Sequence, residues 1–324
     1  MSDFKVLLTA WMIKQDNPSL QRLRDEGCEI VTNYWHGNRT AEEMMGLVPD
    51  VDGAIVSVDP FPASVLAAAK KLRVISRTGI GYDAIDIPEA TERGIVVTTT
   101  PGANETAVAD YAMSLLLSIS RKVLQNDRNV RAGDWTRVEG NDPTEKTIGI
   151  VGLGTIGKKV AKRALGFDMK VLAYDPFKDE AFAAASNIKY VEIDELLHEA
   201  DYVTIHVPLM PSTRNLINAE RLRNMKKTAY LVNTSRGGVV DEESLYKALS
   251  ESWIAGAALD VFEHEPPTGS PLLKLDNMLV SPHVAGNSIE AQQKVIALCC
   301  ENMLRVLKGG PPIHAVNPDA LRKK

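Results

Sequence analysis

A chain of 324 residues exceeds the size at which a single core usually stops growing, so two domains are expected. With 44% apolar and 24% charged residues and a formal net charge of -5, composition argues for an ordinary globular protein and against nucleic acid or an anionic membrane as partner. No run approaches the ~18 apolar residues of a membrane span, and "MSDFKVLL" has no secretory leader, so a cytoplasmic location is expected.

In chain order, "KVLLTA", "EIVTN", "GAIVSV", "RVISRT" and "IVVTTT" are β-branched runs with the look of strands. Between them "SLQRLRDEG", "TAEEMMGLV" and "PASVLAAAKK" look helical, with Ser19 and Thr40 as N-caps of the first two. Strands separated by helices imply crossovers and a parallel sheet. A long helix, "NETAVADYAMSLLLSISRKVLQNDRNVRAG", then connects to a second βα series with strands "TIGIV", "KVLAYDP", "YVTIHVP", "AYLVNTS", "AGAALDVF" and "NMLVSPH". A last helix, "SIEAQQKVIALCCENMLRVLKGG", ends at Gly309 and Gly310. The three cysteines, Cys28, Cys299 and Cys300, have neither disulfide nor metal-ligand spacing; they read as small buried hydrophobes, and no metal is expected.

"GLGTIG", Gly152 to Gly157, satisfies G-x-G-x-x-G, follows a strand and opens a helix whose apolar positions Ile156, Val160 and Ala164 recur every four residues. Gly152 allows the tight turn, Gly154 lets backbone approach a pyrophosphate, and Gly157 lets the helix pack on the strand. Phosphates would then lie at the positive helix N-terminus. Asp175 ends the next strand, 23 residues after Gly152, where a carboxylate bonds an adenosine ribose and repels a 2′-phosphate; NAD is therefore expected over NADP.

Ligands of doubly wound sheets sit outside the carboxyl ends of strands. There the second series delivers His206, Val207 and Pro208; Thr234, Ser235 and Arg236; Asp260 and Glu265; and Ser281, Pro282 and His283. A histidine beside a glutamate can shuttle a proton near neutral pH, and an arginine fork can clamp a carboxylate and polarise the adjacent ketone. That set suits hydride transfer between an alcohol and a ketone. Within "LDVFEHEP", Glu265 is the partner of His283, whereas Glu263 and His264 are expected to face solvent. His206 is expected to form a cofactor wall or to pack internally, and His36, His198 and His314 to be structural or exposed. In the first series, "RTGIGYDAID" places Gly79, Ile80 and Gly81 after a strand, so their backbone N–H groups can bind a small carboxylate.

The motifs "RTGIGYDAID", "GLGTIG…AYDP", "HVPLMPSTRNLIN", "VNTSRGGVVDEESL", "ALDVFEHEP" and "SPHVAGNS", spread over nearly the whole chain, resemble the D-isomer-specific 2-hydroxyacid dehydrogenases, most of all the short phosphoglycerate-oxidising members. The resemblance implies two doubly wound parallel-sheet α/β domains, a Rossmann-type NAD domain (residues 103–289) inserted in a flavodoxin-like substrate domain (1–102 and 290–324). It implies a catalytic trio at Arg236, Glu265 and His283, and NAD contacts at Thr155, Ile156, Asp175, Val207, Thr234, Ser235, Asp260 and Gly286. It also implies a small anionic 2-hydroxy or 2-keto acid as substrate, and a homodimer formed through the cofactor domain with the helices near residue 120.

Departures from that pattern concern the substrate. Phosphoglycerate enzymes place an arginine after the third strand, where "AIVSVDPFP" has Ser57 and, worse for an anion, Asp59. Arg77 and Arg137 do match basic positions of that subgroup, and Asp110 replaces the usual glutamate of "VAE". No regulatory C-terminal domain is expected. D-3-phosphoglycerate is thus one candidate substrate, with glyoxylate, hydroxypyruvate or another 2-keto acid as runner-up. A dinucleotide-sensing co-repressor is the remote alternative, and formate oxidation is disfavoured because that branch carries glutamine where this chain has Glu265.

Overall fold

The computed structural model describes residues 3–10, 13–33 and 39–323. The chain divides into two compact units, Met1–Asn104 with Ser288–Lys324, and Glu105–Asn287.

In the first unit, strands β1 (Phe4–Leu8), β2 (Cys28–Thr32), β3 (Gly53–Val56), β4 (Val74–Arg77) and β5 (Val96–Thr98) form a parallel sheet of order β2-β1-β3-β4-β5. This is the flavodoxin-like winding, and the five runs read as strands all take part. The runs are apolar without alternation because crossover helices cover both faces. Val6, Leu8, Ile55, Val74 and Val96 point to one face, and Leu7, Ala54, Val56, Ile75 and Val97 to the other. The helices are α1 (Pro18–Asp25), α2 (Ala41–Leu47), α3 (Ala63–Ala68) and α4 (Ile87–Glu92); α4 has no counterpart in the sequence reading.

Thr40 caps α2 in a reciprocal capping box with Glu43. Ser19 does not cap α1: the side chain of Asn17 accepts its N–H, and Pro18 starts the helix, because proline is preorganised for that position.

In the second unit, β6 (Thr147–Val151), β7 (Lys170–Tyr174), β8 (Lys189–Tyr190), β9 (Tyr202–Ile205), β10 (Tyr230–Asn233), β11 (Gly256–Leu259) and β12 (Met278–Val280) give the parallel order β12-β11-β10-β9-β6-β7-β8. This is the Rossmann winding with one further strand. The two-residue β8 is too short to announce itself as a strand.

The long helix expected over 104–133 is two helices, α5 (Glu105–Ser120) and α6 (Val123–Arg131). Lys122 between them is left-handed, with φ of 54°. The break has a physical cause: the Ser120 carbonyl accepts the Asn141 amide at 2.8 Å, and Gly140 approaches so closely that a Cβ there would lie 2.5 Å from the same oxygen.

The remaining helices of this unit are α7 (Thr155–Gly166), α8 (Glu180–Ala185), α9 (Ile193–Glu199), α10 (Ala219–Asn224) and α11 (Glu242–Ser250). The chain then rejoins the first unit through α12 (Ile289–Leu307), whose Val295, Ile296, Cys299 and Met303 pack on the same core as Val6 and Val74. All three cysteines are buried, and burial pushes the Cys299 thiol up to about 12, so it is an inert hydrophobe.

Candidate active site

The glycine loop joins β6 to α7, and each glycine has its own steric reason. Gly152 is left-handed, with φ of 97°, and a Cβ there would meet the His206 backbone at 2.9 Å. A Cβ on Gly157 would lie 2.1 Å from the Gly152 carbonyl oxygen, so a side chain would push α7 off the loop. Gly154 faces open space, where a phosphate can approach the backbone. Thr155 and Ile156 begin α7, and the first-turn amides have no intrahelical acceptor. Asp175 closes the loop: its carboxylate accepts the Leu153 N–H and the Phe177 N–H, both at 2.8 Å.

Three turns at neighbouring strand ends carry Arg236, Glu265 and His283. Beyond β10, the wholly buried Asn233 organises the arginine turn. Its amide donates to the Arg236 carbonyl at 2.8 Å, and its side-chain oxygen accepts the Ser235 N–H at 2.9 Å and the Ser235 hydroxyl at 2.8 Å. Sequence reasoning missed Asn233, although an asparagine ending a strand before a turn is an Asx-turn signal.

Beyond β11, Glu265 Oε1 accepts the Phe262 N–H at 3.0 Å, and Oε2 lies 2.9 Å from His283 Nδ1. Burial pushes the Glu265 carboxyl up, but its hydrogen bond to His283, the His283 charge, the Phe262 amide and the Arg236 charge together hold it below the usual carboxylate range. An ionised Glu265 therefore fixes His283 through Nδ1, and Nε2 is the ring atom left for a ligand.

Beyond β12, His283 has φ of 53°, a strained position for a non-glycine residue. Asp260 holds it there. Its carbonyl accepts the His283 N–H at 2.8 Å, while its carboxylate accepts the Ser281 hydroxyl at 2.6 Å and the Val284 and Ala285 amides at 2.9 and 2.8 Å. Asp260 is 0% exposed and pins the 281–285 turn, which leads into Gly286. Glu263 and His264 are exposed as expected, Glu263 pairing with Arg214 at 2.8 Å. His198 is exposed, His314 is half-buried, and His36 lies outside the described residues.

At the ends of β9 and β10, two buried polar atoms lack a hydrogen-bond partner, His206 Nδ1 and Thr234 Oγ1. Desolvation pushes the His206 imidazole down to about 3, and its Nε2 lies 2.9 Å from the Thr204 hydroxyl. Val207 packs in the core beside Gly152, and the exposed Pro208 offers its carbonyl to Thr213. Two orphaned polar atoms, an open Gly154 and a helix N-terminus at one sheet edge fit a dinucleotide. Among the described residues no cluster of ligands for a metal ion is present, and no helix is long and apolar enough to cross a membrane.

In the first unit, Arg77 Nη1 donates to the Thr78 carbonyl at 2.9 Å, and a Cβ on Gly79 would lie 1.8 Å from that nitrogen. Any side chain at 79 would therefore displace the guanidinium. Ile80 is exposed and Gly81 half-buried. Asp59, expected to repel an anion, does not present a bare charge: it is 4% exposed and pairs with Arg39 at 2.6 Å. The Thr9 hydroxyl donates to its other oxygen at 2.7 Å, and Arg39 also donates to the Asn33 side-chain oxygen at 3.1 Å. This buried pair closes the ends of β1, β2 and β3; nothing in the sequence links residues 39 and 59.

The model of the D-isomer-specific 2-hydroxyacid dehydrogenase NAD-binding domain matches residues 113–285. The chain belongs to the D-isomer-specific 2-hydroxyacid dehydrogenases. It is 45% identical over 317 residues to a glyoxylate reductase of Thermofilum pendens, covering 94% of this chain and 93% of that one. It is 41% identical over 303 residues to a D-3-phosphoglycerate dehydrogenase of Archaeoglobus fulgidus, covering 92% of this chain but 57% of the longer relative. The solved TT0316 protein of Thermus thermophilus superposes with a TM-score of 0.89 at 37% identity, over 96% of this chain and 99% of that one. This dehydrogenase is accordingly a nicotinamide-dependent oxidoreductase acting on the CH–OH group of small 2-hydroxy acids.

Proposed function

We propose that the enzyme reduces glyoxylate to glycolate, and with it hydroxypyruvate to D-glycerate, with NADH preferred over NADPH. The observation that carries the reaction is the 2.9 Å contact between Glu265 Oε2 and His283 Nδ1. When bound, the nicotinamide supplies or accepts the hydride. His283 Nε2 gives the keto oxygen its proton in reduction and takes it back in oxidation, help worth ~10²–10⁴-fold. Glu265 keeps the ring in the required tautomer. Arg236 holds the substrate carboxylate and polarises the adjacent carbonyl. Thr155, Ile156, Val207, Thr234 and Gly286 wall the dinucleotide, and Asp175 takes the adenosine ribose. The substrate domain is the first unit, Met1–Asn104 with Ser288–Lys324.

Glyoxylate-type substrates are favoured because Ser57, not a cation, follows β3, and the guanidinium of Arg39 is buried against Asp59. The second reading, D-3-phosphoglycerate oxidation, draws on Arg77 and on the 41% identity to the Archaeoglobus enzyme. A panel of glyoxylate, hydroxypyruvate and 3-phosphohydroxypyruvate, each with NADH and NADPH, separates the two. A kcat/KM at least ~10-fold higher for the unphosphorylated acids is expected, since a phosphate without a cationic partner loses at least ~1.4 kcal/mol. A preference for the phosphorylated acid would reverse the assignment.

A homodimer is part of this reading. Helix α6 has no buried residue, and its Val123, Leu124 and Val130 are exposed, as is Trp135 just beyond it, at 77%. Light scattering is expected to give the mass of two chains.

A further inference from the structure

The turn that carries Glu265 is held from outside the catalytic trio. Glu242, the first residue of α11, reaches across to it, and its Oε1 accepts the Glu263 N–H at 2.6 Å. Helix α11 is a firm base for such a reach. Its N-cap Asp241 accepts from the Ser244 amide and hydroxyl, and Ser244, Leu245, Ala248 and Leu249 are buried.

Three residues before Val240, the neighbour of Asp241, the chain comes closer still. A Cβ on Gly237 would lie 1.9 Å from the Phe262 carbonyl carbon and 2.2 Å from the Glu263 nitrogen. Backbone therefore touches backbone where the turn after Arg236 meets the turn before Glu265, and only glycine fits. The Glu263 amide is thus fixed by steric contact on one side and by a carboxylate on the other.

A carboxylate is an expensive choice of acceptor here. Glu242 is half-buried; burial pushes its carboxyl up, the Glu263 amide opposes that, and the nearby Glu263 and Glu265 carboxylates push it up further, with His264 offering partial relief. Glu243, one residue on, already places a carboxylate in the first turn and pairs with Lys247 at 2.7 Å, so the helix dipole does not require a second. The return on Glu242 is a short, charge-assisted hydrogen bond to one backbone amide. That amide lies one residue from the Phe262 N–H, which Glu265 Oε1 uses to orient itself against His283.

We infer that Glu242 is a positioning residue: it locks the 262–265 turn to α11 and so sets the geometry between Glu265 and His283. The inference rests on the acid–base reading of that pair.

The test compares Glu242→Ala and Glu242→Gln in the full chain with glyoxylate and NADH, following kcat, KM and the pH profile of kcat/KM. Alanine removes the acceptor; glutamine keeps an oxygen in its place. Alanine is expected to lower kcat about tenfold, the scale of one lost positioning hydrogen bond, with little change in KM and a displaced pH profile. Glutamine is expected to restore most of both. Equal losses in the two variants, or wild-type kcat and pH profile in Glu242→Ala, would overturn the inference. If Glu242→Ala does not fold, Glu242→Asp, one methylene too short to reach the amide, replaces it, and a wild-type profile there overturns the inference equally. His283→Ala is the separate control. Undiminished turnover in that variant removes the acid–base reading itself, whereas an inactive His283→Ala beside an unaffected Glu242→Ala removes only the role of Glu242.

Discussion

Replacing Glu265 by glutamine preserves shape but reverses one hydrogen bond, and the structure says which. Oε1 accepts the Phe262 N–H at 3.0 Å, so the glutamine oxygen stays there and its NH₂ takes the place of Oε2, 2.9 Å from His283 Nδ1. An amide nitrogen cannot accept, so the ring must turn its Nδ1 lone pair toward it and carry its proton on Nε2. Such a ring cannot take a proton from an alcohol, and its imidazolium would set N–H against N–H. Two terms set the loss. The charge-assisted bond is worth about 1.5–3 kcal/mol, nearer the lower end because the two side chains keep 34% and 23% of their surface accessible. Flipping the amide to recover it would strand the Phe262 N–H, at about 1–3 kcal/mol.

The amide adopts the cheaper of the two arrangements, so the loss is about 1.5–3 kcal/mol, or ~10–10²-fold in kcat/KM. The ratio of forward to reverse kcat/KM is set by the equilibrium constant, so at any one pH both directions must lose the same factor. NADH absorbance in both directions, with melting curves to establish that the variant folds, measures both losses. A Glu265→Gln enzyme within ~3-fold of wild type, a residual of less than ~1 kcal/mol, would refute the assignment of this pair.

Two further outcomes concern stability. Asp260→Ala leaves the Val284 and Ala285 amides without their acceptor, and a loss of about 2–5 kcal/mol in denaturant unfolding is expected, with turnover lost as the His283 turn relaxes; a change below ~1 kcal/mol would mean that the turn is held otherwise. His206 is pushed down from 6.5 to about 3, so between those values the unfolded chain binds the extra proton and stability falls as pH drops below 6.5. Because the residue keeps some accessible surface, about 2 kcal/mol at pH ~5 is the upper figure, and His206→Asn is expected to flatten the dependence measured by urea unfolding.

Much of the site can be read in the sequence because its parts are local. Gly152, Gly154 and Gly157 each answer a steric demand within one strand–loop–helix unit, and Asp175 ends the very next strand. Arg236, Glu265 and His283 follow the apolar runs of adjacent strands, and parallel winding brings such ends to one edge. Local signals fail where distant backbone decides. Ser120 reads as mid-helix until Asn141 takes its carbonyl, and Ser19 reads as a cap until Asn17 and Pro18 start the helix earlier.

The acidic residues show most plainly where sequence reading stops. Asp59, Asp175, Glu242, Asp260 and Glu265 all sit in or beside loops, and residue type alone assigns them to solvent, substrate or cofactor. In the structure every one of them accepts a backbone N–H: Ser57 for Asp59, Leu153 and Phe177 for Asp175, Glu263 for Glu242, Val284 and Ala285 for Asp260, and Phe262 for Glu265. A loop that must place a reacting group lacks the ladder of hydrogen bonds that fixes a strand, and its buried amides still need acceptors. Carboxylates meet that need with short, strong bonds, and so the same residue type serves as scaffold and as reagent. What separates Glu265 from the other four is that its second oxygen meets a histidine ring that remains open to a ligand.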